Sequence, residues 1–176
     1  MKKLLIILLG MVLFSHATTY KKTDFAKLVQ TSTVIAEGEI TSIKSAWQGK
    51  QISTTITLKV SKLHKGQSQS TEIEFIIQGG RVGDVEQHIS GAPKFNIDEK
   101  VMVLLVWHRN HYWLHSMAMG KFDLKQEGNT LYLENPMMKN AVLYSQNLKT
   151  HSGNHPKFEY QQAIKLINEL AEKRGD

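Results

Sequence analysis

Between residues 51 and 64 apolar and polar side chains alternate in register. Ile52, Thr54, Ile56, Leu58 and Val60 fall on one side, and Ser53, Thr55, Thr57, Lys59 and Ser61 on the other. A period of two sends successive side chains to opposite faces of a strand, so this stretch must bury one face and wet the other. A strand of that length also needs partners along its edges, and the flanking sequence supplies them. Residues 71–78 (T-E-I-E-F-I-I-Q) alternate again, and residues 101–107 (V-M-V-L-L-V-W) form an almost wholly apolar run of strand length, as expected of a strand covered on both faces. Residues 34–47 read as a strand with Gly38 as a bulge or bend, reversed by Gln48-Gly49-Lys50. Arg109-Asn110 marks a tight hairpin that sets His108 opposite His111. The return strand is expected over 112–119, running on toward Leu124, and Glu127-Gly128-Asn129 turns the chain into a last short strand at 130–133.

Helices are expected only at the ends. Thr23 caps a short one carrying Phe25, Leu28 and Val29, and residues 159–174 place Ala163, Ile164, Ile167, Leu170 and Ala171 on one apolar face. Residues 135–157, with Pro136 and Pro156, show no period and read as an irregular wrap. The fold class is therefore mainly β: a small antiparallel barrel of five or six strands, with a short N-terminal helix and a C-terminal amphipathic helix. Residues 18–134 form the barrel, and 135–176 the wrap and helix packed on the same domain.

Two lysines, an apolar run and the small residues Ser15 and Ala17 make residues 1–17 a signal peptide. That run is too short for a permanent membrane anchor. The chain has no cysteine, which removes disulfides, thiol nucleophiles and thiolate metal sites, and fits a periplasmic or secreted bacterial protein. Cleavage after Ala17 removes Lys2 and Lys3, lowering a formal net charge of +6 to +4. The remaining lysines are scattered, without the aromatic interleaving of a nucleic-acid surface, so no nucleic-acid partner is expected.

The motif order V-I-A-E-G-E-I-T-S-I, I-S-T-T-I-T-L-K-V-S-K-L-H-K-G, I-I-Q-G-G, S-G-A-P-K-F and E-K-V-M-V-L-L resembles a group of uncharacterised secreted bacterial domains, some of which stand beside a matrixin-like metalloprotease. Where that group carries a glycine before the glutamate of the last motif, this chain has Asp98. The strand plan is also similar to netrin and metalloprotease-inhibitor modules, which implies an OB-like barrel. Those inhibitors act through an N-terminal cysteine, which is missing here. The resemblance implies an accessory or inhibitor of an exported protease as one role.

Residues 79–95 form a long connection punctuated by Gly79, Gly80, Gly83 and Gly91. Loops of that length are more often functional than idle. Its polar set, Arg81, Asp84, Glu86 and His88, is the candidate surface for binding another protein, while Val82, Val85, Ile89 and Phe95 would plug one mouth of the barrel. G-G-R-V-G matches neither phosphate-binding glycine motif, so no cofactor is expected. His111, Trp113, His115, Met117 and Met119 recur at every second position. On one strand face, His111, His115, Met117 and Met119 could hold a soft ion such as Cu(I), as similar residues do in small exported copper carriers. No G-x-S-x-G or S-x-x-K occurs, and an enzyme is not expected.

Overall fold

The computed structural model describes residues 23–135, 137, 143–144 and 157–172. The expected leader at 1–17 and most of the expected wrap lie outside them. After β1 (Thr23–Asp24) and α1 (Phe25–Thr31), the chain enters a long ribbon of β2 (Val34–Gln48) and β3 (Gln51–Lys65), reversed at Gly49 with φ 64°. β4 (Glu72–Gln78) returns along β3. Next come a small hairpin, β5 (Gly80–Val82) with β6 (Val85–Gln87), and then β7 (Lys100–His108) and β8 (His111–Leu114).

β7 pairs with the free edge of β2, and β8 turns back on β7 through Arg109 and Asn110 at φ 50° and 65°, the two left-handed positions of a tight hairpin. β8 then meets β4 in parallel at Phe75 with Tyr112 and Ile76 with Trp113. The ring β2-β3-β4-β8-β7 is thereby closed, with four antiparallel seams and one short parallel one. That ring of five strands is the small barrel expected from the sequence, except that one of its seams is parallel rather than antiparallel. The bulge expected at Gly38 is present as a register shift between Glu37 and Gly38, where an added Cβ would stand 2.1 Å from the Lys59 carbonyl oxygen.

Beyond β8 the sheet grows outward from the other half of β7 through β9 (Lys121–Glu127), β10 (Thr130–Glu134) and β12 (Lys157–Glu159), while β11 (Leu143–Tyr144) lies parallel to β1. α2 (Tyr160–Glu172) covers this extension.

The apolar run of β7 now has a cause. Val101, Val103 and Leu105 face the barrel core with Ile40, Ile56 and Phe75. Met102 and Leu104 face a second core with Phe25, Phe122, Phe158 and Ile167. Ala163 and Ile167 are fully buried in that second core, so the apolar face of α2 is spent on this domain. Each such Ile or Leu contributes about 1.5–3 kcal/mol of burial.

Two expectations need correction. β8 stops at Leu114, because Ser116 and Met117 take left-handed φ of 51° and 57° and lead into a 3-10 turn, Met117–Gly120. The connection over 79–95 is also not plain loop, since it contains the β5–β6 hairpin.

Candidate functional site at the barrel mouth

The hairpin is fastened to the barrel rim by side-chain hydroxyls. Ser45 of β2 and Thr54 of β3 lie 2.8 Å apart, Thr54 Oγ1 donates to the Gly79 carbonyl at 2.7 Å, and the Arg81 amide donates to Ser45 Oγ at 3.3 Å. The Gln87 side chain accepts from the Ile52 amide at 2.6 Å. Gly80 must be glycine here: its φ is 135°, and a Cβ would fall 2.2 Å from Thr54 Oγ1 and 2.5 Å from Ser45 Oγ. Gly79, Gly83 and Gly91 also take positive φ, so all four glycines are used for conformations that other residues resist.

From β6 the chain crosses the mouth as a strap over residues 88–99. Phe95 drops inward onto Phe75, ring centroids 5.5 Å apart. Lys121 pins the far end: its Nζ donates to the Lys94 carbonyl at 2.9 Å and to Glu99 at 2.6 Å, and stands 4.8 Å from the Phe95 ring centroid. Asp123 lies 3.3 Å from the same ammonium. Burial nevertheless holds the Asp123 carboxyl above its usual range, with the Lys121 charge only partly offsetting it.

Between hairpin, strap and ribbon opens a cavity of about 350 Å³. Ile43, Ile56, Ile77 and Phe95 make its apolar floor, and barrel mouths are a common place for such sites. Of the four polar residues expected to form a contact surface, Arg81, Glu86 and His88 line this cavity and are exposed. Asp84 stands at the hairpin turn, outside the cavity lining. Of the expected plug, Phe95 is buried, whereas Val85 is half exposed at the hairpin tip.

The His/Met set does not assemble on one face. The break after Leu114 ends the alternation on which that reading depended. His111 is exposed and faces His108 across the hairpin, as expected. Met119 packs against the second core, while Met117 is exposed beside Trp113. Both ring nitrogens of His115 are engaged, Nε2 with Thr31 Oγ1 at 2.7 Å and Nδ1 with Ser116 Oγ at 2.8 Å. Among the described residues no group of three or more His, Cys, Asp or Glu is placed to hold a metal ion.

A buried polar cluster went unforeseen. Glu37 of β2 accepts from His64 Nε2 of β3 and from the Tyr160 hydroxyl of α2 at 2.7 Å. Burial pushes the Glu37 carboxyl up, but these two donors and the His64 and Lys62 charges outweigh it and hold the group below its usual value. The partners are 27 and 123 residues from Glu37, so no local motif could reveal them.

No family model, curated protein or solved structure matches the chain.

Proposed function

We propose that this chain is an exported, non-enzymatic binding domain that seats a side chain of another protein in the barrel mouth. The observation that carries the reading is the cavity itself: an apolar floor of Ile43, Ile56, Ile77 and Phe95 beneath a charged, exposed rim of Arg81, Glu86 and His88. A floor of that kind favours an apolar anchor, and a rim of mixed charge selects its surroundings. The hairpin that bears Arg81 and Glu86 is held by the Ser45–Thr54 hydroxyl pair, so little ordering cost falls on binding. The resemblance to domains that stand beside metalloproteases makes an exported protease the first partner to test.

The test places a photo-crosslinking residue at His88 in the exporting host. Ala92, which lines the cavity, is then replaced by Trp to fill it. The reading expects a discrete adduct that drops at least about tenfold on Ala92→Trp, an affinity loss of about 1.4 kcal/mol or more. An adduct of equal yield with the cavity filled, or no discrete adduct at all, overturns it.

A further inference from the structure

A second cavity, of about 260 Å³, opens at the outer side of the parallel β4–β8 seam. Ile76, Pro93, Trp113 and Met117 give it apolar walls, and Ser116 lies on its edge with an exposed side chain. Ser116 is unusual in two ways. It sits in the left-handed region at φ 51°, ψ 37°, followed by Met117 in the same region. Consecutive non-glycine residues there carry strain of the kind that collects at functional sites. It also occupies the N-cap of the 3-10 turn without making the side-chain cap bond that serine makes at such positions. Its hydroxyl is turned instead to His115 Nδ1, 2.8 Å away.

The proton positions follow from the partners. Thr31 has one hydroxyl proton and lies 2.7 Å from the Lys27 carbonyl oxygen, which can only accept. That proton is therefore spent on Lys27, and Thr31 Oγ1 must accept at its 2.7 Å contact with His115 Nε2. Nε2 then carries the imidazole hydrogen, and Nδ1 presents its lone pair to the Ser116 hydroxyl. Burial, aided by the nearby Lys65 charge, holds His115 below its ordinary value and keeps the ring neutral near pH 7. A hydroxyl bonded to a neutral base, with the base oriented by a third group, is the arrangement that activates a serine.

We propose that Ser116 is a base-activated nucleophile, with His115 as its base and Thr31 as a positioning residue, that takes an acyl group from an activated ester carrying a short apolar chain into the β4–β8 seam cavity. In the step, Ser116 Oγ bonds to the acyl carbon, and its proton passes to His115 Nδ1. The ester C–O bond breaks with its electron pair leaving on the alcohol oxygen, which takes the proton back from His115. None of these three groups lines the barrel-mouth cavity, although the two cavities share Ala92 and Pro93, so the acylation is read on the chain with Ala92 intact.

The purified protein is treated with p-nitrophenyl butyrate, and released nitrophenol is followed alongside intact and peptide mass spectrometry. One equivalent of nitrophenol and a butyryl group on Ser116 are expected, with the rate rising through an inflection below the ordinary histidine value. Ser116→Gly, which suits a left-handed position, should remove the adduct while the thermal midpoint holds or rises. His115→Gln should slow acylation by about 10²-fold or more. Thr31→Val should move the pH inflection, and Thr31→Ser should restore it, a readout that simple loosening of α1 would not give. Acylation confined to lysines, no adduct at residue 116, or an unchanged rate in His115→Gln overturns the proposal.

Discussion

Single residues here are constrained by backbone geometry that the sequence marks only in part. Asp98 takes φ 65°, in the left-handed region that favours glycine, and its amide donates to the Ile40 carbonyl at 2.9 Å. Replacing it with glycine removes a left-handed penalty, so Asp98→Gly should stabilise the fold by about 0.5–1 kcal/mol in denaturant titration. Gly80→Ala should do the reverse, costing about 2–4 kcal/mol, because the Cβ meets two fixed hydroxyls as well as an unfavourable φ. Titration adds a second kind of constraint. The Glu37 and His115 groups are both held below their ordinary values in the folded protein. Each therefore contributes stability that is present above its unfolded value and is lost as pH falls through the folded one. Thermal melts should show one decline beginning near pH 6.5, absent in His115→Gln, and a second below about pH 4.5, shallower in Glu37→Gln.

At the scale of elements, what was legible is what repeats locally. The alternation of β3 and β4 and the hairpin at Arg109-Asn110 follow from period and turn chemistry within a few residues. The end of β8 does not, because H-Y-W-L-H-S-M-A-M alternates in composition throughout. Tertiary structure decides it: the His115 amide still bonds the Leu104 carbonyl in register with β7 at 2.8 Å, but after the left-handed Ser116 and Met117 the Ala118 amide donates to the Gly91 carbonyl at 3.0 Å, outside the sheet. The same limit hid the rim. Arg81, Glu86 and His88 stand out as polar residues in a long connection, but the floor beneath them comes from three other strands and Phe95. The docking of α2 is legible in its apolar stripe, yet its polar lock is not. Tyr160→Phe removes the donor to Glu37 and the acceptor of Lys62 Nζ at 3.4 Å while leaving the ring in place, so it should cost about 1–3 kcal/mol. Phe158→Ala, which empties the space against Phe25 and Phe122, should cost about 3–5 kcal/mol in the same chemical denaturation.

The whole molecule has two cores hung on opposite faces of the same strands. β7 gives Val101, Val103 and Leu105 to one and Met102 and Leu104 to the other, and β2 gives Ala36 to the first and Ile35 to the second. Neither core can open without disturbing the strands that wall the other, so the barrel and the α2 layer should behave as one cooperative unit. If the helix were an appendage, removing it would leave a barrel that still melts sharply. Truncation before Lys157 instead strips Phe158, Ala163 and Ile167 from Phe25, Met102, Leu104 and Phe122, uncovering a face of the central strands. The expected outcome is coincidence in the full chain of the far-ultraviolet transition, reporting strands, and the tryptophan fluorescence transition, which includes Trp113 at the β4–β8 seam. In the truncated chain the cooperative transition should vanish. Two separated transitions in the full chain, or a sharp melt in the truncated one, would show that the second core merely rests on a barrel able to stand alone.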